Sequence, residues 1–157
     1  MTPPVIGFAI GFVIGFANTM RLHNALLHLG GLHMHIAVLA DNIADRKQTE
    51  RLLDRANSAL ASEIGTLYVD SFGDESSFLP VCMKYDLFLL DIDQDMAHCM
   101  EIVARLQELS APGMIVVCKD AAEPYRRENA IQHLYTLDKP ILTAPLHKLL
   151  RDIQQEI

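Results

Sequence analysis

The stretch YDLFLLDID, residues 85–93, holds an uninterrupted apolar run between Asp86 and Asp91. A short apolar run bounded by acidic residues is typical of a strand buried on both faces, as in the middle of a parallel sheet. Four other segments of the chain are also strand-like, at residues 35–40, 66–69, 114–117 and 133–137. The sequence therefore predicts five short strands.

Helical patterns separate these five runs. Four segments are predicted to be helical, at residues 45–63, 96–109, 123–131 and 146–157. A fifth segment, residues 78–84, contains Pro80 and is predicted to be a short helix or turn. From Met34 onward, strands and helices alternate five times. This alternation predicts an α/β fold, a flavodoxin-like doubly wound sheet of five parallel strands, with its functional crevice beyond the carboxyl ends of the strands.

Net charge narrows the classes of binding partner, and cysteine content indicates the redox compartment. The chain has 157 residues and a net charge of −7, a poor match for nucleic-acid phosphates and a better one for a basic protein or a divalent cation. Its three cysteines, Cys82, Cys99 and Cys118, are odd in number and widely spaced. This pattern predicts free thiols in a reducing compartment, in keeping with a cytoplasmic protein.

The first 33 residues differ from the rest. Ile-Gly-Phe occurs three times between residues 6 and 16, and an apolar stretch covers residues 5–17. As a helix that stretch would span about 20 Å, less than the roughly 30 Å of a bilayer core. We expect residues 1–33 to be an extension, with any membrane contact or pairing with a second copy confined to residues 5–20, and residues 34–157 to fold without it.

Chemically capable residues follow four of the predicted strands. Asp41 follows the first, Asp91 the third, Cys118 the fourth, and Lys139-Pro140 the fifth. Two nearby carboxylates repel each other, and a hard cation such as Mg²⁺, which prefers oxygen ligands, relieves that repulsion. A carboxylate, Mg²⁺ and a lysine are the requirements of an aspartyl-phosphate site, in which Asp91 would attack phosphorus.

The strings IAVLADN, YDLFLLDID, MIVVCKD and LDKPI, in this order, resemble the receiver (CheY-like) domain of two-component response regulators over residues 34–157. The resemblance implies that Asp91 is the phosphoacceptor and that Lys139, preceding a cis proline bond, binds the phosphoryl group. It also implies that Asp41, Asp91 and the backbone carbonyl of Asp93 bind Mg²⁺. A histidine kinase or phosphotransfer protein would be the donor, and the domain would catalyse only its own phosphorylation and dephosphorylation.

The sequence departs from the receiver pattern at several positions. Ala40 replaces the first residue of the acidic pair, which weakens the expected Mg²⁺ site. Cys118, a weak hydrogen-bond donor, replaces the usual hydroxyl residue, and Lys119 replaces the small residue after it. The aromatic switch position is Thr136, with Tyr135 displaced to the opposite face of its strand.

Other interpretations remain open at this level. Asp41 and Asp91 could simply cap the helices that follow them. Cys118 could be an inert buried residue, or the neighbouring lysines could lower its pKa. The domain could be a pseudo-receiver, an interaction module without phosphoryl chemistry, or one module of a larger hybrid kinase. For the phosphoacceptor hypothesis, we expect no effector domain to follow, so output would be through protein contact.

Overall fold

A computed structural model describes residues 33–92, 96–120 and 134–156 of the chain. The strands are β1 (His33–Ala40), β2 (Thr66–Phe72), β3 (Leu87–Asp91), β4 (Met114–Asp120) and β5 (Leu134–Lys139). The helices are α1 (Ile43–Ile64), α2 (Glu75–Phe78), a 3₁₀ helix (Leu79–Lys84), α3 (Met96–Glu108) and α4 (Thr143–Glu156). All five predicted strands are confirmed, with boundaries shifted by a few residues.

The five strands form one sheet in the order β2-β1-β3-β4-β5, and every neighbouring pair is parallel. The chain leaves β1 toward β2 on one side and then returns to place β3 on the other side of β1. This reversal makes the carboxyl ends of β1 and β3 the place where the two directions of winding separate, the position of the functional crevice in open α/β sheets. The predicted flavodoxin-like fold is confirmed.

Each face of the sheet is covered by its own apolar core. On one face, alternate residues of the strands pack against α1 and α4, with Leu53 and Leu150 fully buried. On the other face, the remaining strand residues pack against α3 and the 3₁₀ helix, with Phe88 and Ile102 fully buried. Burial on both faces explains why β3 is apolar at every position before Asp91.

Side-chain capping sets the start of α1. The side chain of Asn42 accepts a hydrogen bond of 3.1 Å from the backbone N–H of Asp45, so Asn42 is the N-cap and the helix begins at Ile43, earlier than predicted. The alternative in which Asp41 caps this helix is therefore wrong. At the other end, Gly65 adopts φ 77°, a conformation that glycine reaches without a steric penalty, and its N–H donates to the carbonyl of Ala61.

The acidic segment from Asp70 to Glu75 joins β2 to α2 and makes specific hydrogen bonds. Asp70 lies in β2 and its Oδ2 accepts a hydrogen bond of 2.8 Å from the hydroxyl of Tyr85. Asp74 is the N-cap of α2, where it accepts from the backbone N–H of Ser77. These acidic side chains therefore fasten the crossover between β2 and β3.

Two predicted segments lie outside the described residues: almost all of the N-terminal extension, residues 1–32, and the helix predicted over residues 123–131. Both stay predictions. None of the helices in the described ranges combines the length and the apolar character needed to span a membrane.

Candidate functional site

Side-chain alternation brings the predicted site residues to one face at one edge of the sheet. Ala40 and Asp91 are partners in the parallel pair β1–β3, and each is the last residue of its strand. Cys118 pairs with Leu137, and Lys139 lies two residues further along β5. Because side chains two residues apart point the same way, Lys139 and Leu137 share the face that also carries Cys118 and Ala40.

Lys139 and Asp91 form an ion pair at this edge. The Lys139 Nζ lies 2.7 Å from Asp91 Oδ1. Asp91 is one of only two polar residues in the buried set of the described chain, and its side chain is 2% exposed. A buried carboxylate is costly unless a positive charge or hydrogen bonds compensate it, so Lys139 is the natural compensating charge. The peptide bond between Lys139 and Pro140 is cis, as the receiver resemblance implies.

A second carboxylate contacts the same lysine. Asp45 Oδ2 lies 3.3 Å from Lys139 Nζ, so the ammonium group bridges Asp45 and Asp91. Sequence reasoning did not single out Asp45, because its position in the first turn of α1 is ordinary for an acidic residue. The signal that could have found it was its closeness in sequence to Asp41, on a helix that starts at the site.

Asp41 directly follows the Ala40–Asp91 register position and is exposed. With Ala40 in place of a carboxylate, Asp41 and Asp91 are the predicted metal ligands among the described residues, and Asp93 lies outside them. No group of three metal-ligating side chains converges anywhere in the described ranges. Mg²⁺ commonly takes one or two carboxylates and completes its coordination with water and phosphate oxygens, so the chemistry of Asp41 and Asp91 is compatible with it.

Arg46 occupies the space beside the end of β1. Its Nη1 donates a hydrogen bond of 2.9 Å to the carbonyl oxygen of Ala40. The same guanidinium lies against Gly73, where a Cβ atom would come within 2.7 Å of Nη1. A guanidinium cation therefore lies against the last backbone carbonyl of β1, a feature that the sequence did not reveal.

Cys118 is buried at 4% exposure, and burial raises the pKa of its thiol well above 9.0. The negative charge of Asp91 acts in the same direction, and the positive charge of Lys139 offsets only part of it. The alternative in which the lysines lower the pKa of Cys118 is wrong, because desolvation outweighs their attraction. Lys119 lies 3.1 Å from the Asp138 carboxylate, its partner in the register of β4 and β5.

The two aromatic-switch candidates on β5 lie on opposite faces, as predicted. Thr136 is exposed, whereas Tyr135 packs against the core beneath α1 and α4. The Tyr135 hydroxyl donates a hydrogen bond to Glu156 at the end of α4, and burial together with this bond raises the pKa of Tyr135 to about 12. Tyr135 therefore connects β5 to the last turn of α4 and points away from the Thr136 face.

The fold of this chain is similar to the folds of several solved structures. A response regulator from Colwellia psychrerythraea aligns with a TM-score of 0.52 at 17% identity, over 79% of this chain and 98% of that one. A receiver domain protein from Bacillus halodurans aligns with a TM-score of 0.54 at 13% identity, over 76% and 96%. The chain has the fold of a response-regulator receiver domain.

A protein assigned to pilus assembly is also similar in fold to this chain. A protein described as a pilus assembly protein (CpaE) from Burkholderia thailandensis aligns with a TM-score of 0.62 at 15% identity, over 78% of this chain and 98% of that one. No family model matches the chain, and no curated protein matches it. The likeness therefore defines the fold of the receiver-like domain, and its chemistry has to be inferred from its residues.

Proposed function

We propose that this receiver-fold domain accepts a phosphoryl group on Asp91 in two-component signalling, from a histidine kinase or a phosphotransfer protein. The observation that carries the proposal is the 2.7 Å contact between Asp91 and Lys139 at the carboxyl edge of the sheet. The contact supports the proposal because it joins a carboxylate, which would be the nucleophile, to an ammonium group that would hold a phosphoryl oxygen. Output would pass through contact with another protein.

The proposed transfer is a substitution at phosphorus. A carboxylate oxygen of Asp91 forms a bond to phosphorus while the bond from phosphorus to the donor's histidine nitrogen breaks, and its electron pair stays with the imidazole. Lys139 stabilises the negative charge on the phosphoryl oxygens as a point charge. In dephosphorylation, water attacks the phosphorus while the bond from phosphorus to the Asp91 oxygen breaks, and the products are inorganic phosphate and the Asp91 carboxylate.

Within this proposal, Asp41 and Asp91 would hold Mg²⁺, with Asp93 as a further ligand from outside the described residues. When bound, Mg²⁺ would supply additional neutralisation of the phosphoryl oxygens. The side chain of Asp41 is exposed and directly follows the register position that Ala40 shares with Asp91. Ala40 removes one carboxylate from this edge, so we expect weak binding of the metal.

Acetyl phosphate with Mg²⁺ tests the proposal directly, with intact-protein mass spectrometry as the readout. We expect the wild-type chain to gain the mass of one phosphoryl group and the Asp91→Asn variant to gain none. Asp54→Asn is the matched control, because Asp54 is an exposed acidic residue in the middle of α1. Absence of the gain in wild type, or its persistence in Asp91→Asn, would show that Asp91 is not a phosphoacceptor.

A second candidate function is a pseudo-receiver that binds a partner without phosphoryl chemistry. It is favoured by the departures from the receiver pattern: the loss of the carboxylate at Ala40, the buried thiol of Cys118 and the exposed Thr136. Two exposed apolar side chains, Ile43 at 65% and Leu142 at 59%, follow the strand ends that carry Asp41 and Lys139 and could contact a partner. The likeness in fold to the pilus assembly protein is compatible with this candidate.

The two functions differ in what Asp91→Asn does to partner binding. A phosphoacceptor predicts that treatment with acetyl phosphate changes the affinity for the partner in wild type but not in Asp91→Asn. A pseudo-receiver predicts equal affinity in both proteins, with and without treatment. An Ile43→Ser/Leu142→Ser variant should lose the partner under either function if these side chains form part of the contact.

A further inference from the structure

Asp45 lies where it can compete with a phosphoryl group for Lys139. Its Oδ2 is 3.3 Å from Lys139 Nζ, while Asp91 Oδ1 is 2.7 Å from the same nitrogen. The lysine ammonium thus already contacts two carboxylates in this structure. A phosphoryl group on Asp91 would bring further negative charge next to this nitrogen, and close to Asp45.

Asp45 is held in this place by the helix that carries it. Asn42 Oδ1 accepts from the backbone N–H of Asp45, which fixes the first turn of α1. In addition, Arg46, the next residue, is hydrogen-bonded to the carbonyl oxygen of Ala40 at the end of β1. Hydrogen bonds on both sides of Asp45 therefore fix the position of this turn. The Asp45 side chain is 38% exposed, and its carboxylate contacts Lys139 of β5.

Like charges close to one another repel, so the Asp45 carboxylate disfavours a further anion beside Lys139. The lysine also has to give up its contact with Asp45 before it can contact that anion. Charges a few ångströms apart near a protein surface, even when partly screened by solvent, interact strongly enough to change an affinity by about tenfold. Loss of the Asp45 charge would therefore favour any phosphoryl-like anion at Asp91 by about tenfold.

We infer that Asp45 is a built-in competitor of the phosphoryl group, which holds Lys139 in the unphosphorylated state and lowers the affinity of the site for phosphoryl-like anions. This inference rests on the proposed phosphoacceptor function and adds to it a residue that sets how readily the site is occupied. On binding of the anion, Lys139 exchanges its contact with Asp45 for a phosphoryl oxygen. No bond is made or broken in this exchange.

Beryllofluoride with Mg²⁺, a stable mimic of a phosphoryl group, is the probe, and ¹⁹F NMR reports the bound species. The full chain is compared with Asp45→Asn, which keeps the shape of the side chain but removes its charge, and with Asp54→Asn. The control removes the same charge from α1 at a residue further along the helix. We expect Asp45→Asn to bind beryllofluoride about tenfold more tightly than wild type, and Asp54→Asn to bind within about twofold of wild type.

The outcomes separate the inference from the function on which it rests. If wild type binds beryllofluoride and Asp45→Asn binds no more tightly, the inference is wrong and the phosphoacceptor function stands. If all three proteins fail to bind, both are wrong. Binding by Asp45→Asn alone would support the inference in its strongest form. An equal gain in Asp45→Asn and Asp54→Asn would overturn it, because the gain would then come from net charge.

Discussion

Lys139 and Asp91 form an ion pair in which one partner is buried and the other reaches solvent. Their charged atoms are 2.7 Å apart, and the side chains are 2% exposed for Asp91 and 23% for Lys139. Removing one partner of a buried pair costs more than the pair itself contributes, because the other charge is left uncompensated in a poorly solvated place. The stability of the domain, and not only the chemistry of the site, should therefore depend on Lys139.

Replacement of Lys139 by methionine should destabilise the domain. We expect the Lys139→Met variant to lose about 3 kcal/mol of unfolding free energy, because the Asp91 carboxylate remains buried without its nearest cation. Urea denaturation followed by circular dichroism measures the change. Adding Asp91→Asn in the same chain should restore most of the loss, since the buried charge is then gone.

The matched control for this experiment is Lys119→Met. Lys119 forms an ion pair with Asp138, whose side chain is 65% exposed and well solvated without it. We therefore expect a change of less than about 1 kcal/mol. Equal losses in the Lys139→Met and Lys119→Met variants would contradict the assignment of Lys139 as the charge that compensates a buried carboxylate.

The buried cysteines should make the fold sensitive to alkaline pH. Burial, aided by the charge of Asp91, raises the pKa of Cys99 from 9.0 to about 12. Between these values the folded protein keeps the thiol proton that the unfolded chain releases. The stability contribution is thus complete below about pH 9 and is lost as pH rises toward 12.

Denaturation of the Cys99→Ala variant at pH 8 and pH 10 tests this dependence. The unfolding free energy of wild type should fall between the two values by about 1.4 kcal/mol more than that of Cys99→Ala, since the variant lacks this thiol. Met100→Leu, a change at the next position of α3 that removes no titrating group, should follow wild type. Parallel pH profiles for wild type and Cys99→Ala would show that this thiol does not carry a raised pKa.

Two glycines, Gly113 and Gly73, offer a matched pair that compares a rigid neighbour with a flexible one. An added Cβ at Gly113 would lie 2.5 Å from Cε2 of Phe88 and 2.9 Å from the carbonyl oxygen of Tyr85. The Phe88 ring is fully buried and the carbonyl belongs to the backbone, so neither can move freely. We expect Gly113→Ala to lower the unfolding free energy by about 2 kcal/mol, as overpacking of a core does.

Gly73→Ala should cost clearly less. There the added Cβ meets the end of the Arg46 side chain, which can turn toward solvent. Both variants can be compared by thermal and urea denaturation under the same conditions. If Gly73→Ala proves the more damaging of the two, the hydrogen bond from Arg46 to the Ala40 carbonyl contributes more to the fold than its partly solvated position suggests.

Local pattern was sufficient to predict the strands and their common edge. The apolar runs before Asp41, Asp91 and Cys118 end where the polar residues begin, and parallel strands place those ends together. The predicted positions of Asp91 and Lys139 beside one another are confirmed in the geometry. The strand boundaries were less accurate, because polar residues interrupt the apolar runs near the ends of β2, at Asp70 and Ser71, and of β4, at Lys119 and Asp120.

The environment of the site could not be predicted in the same way. The charges near Cys118 suggested a lowered pKa, but the depth of burial, which depends on the whole packed core, reverses the direction. Similarly, Asn42 rather than Asp41 caps α1, because the cap is decided by which side chain reaches the N–H of Asp45.

By itself, the sequence determined the alternation of strands and helices, the parallel sheet and the edge at which Asp91 and Lys139 meet, because periodicity and polarity act over neighbouring residues. Only the tertiary structure decided that Lys139 also contacts Asp45, and that Arg46 lies beside the end of β1. These contacts depend on how the first turn of α1 lies across the ends of β1 and β5. The packing of two apolar faces sets that arrangement, and no local pattern encodes its distances.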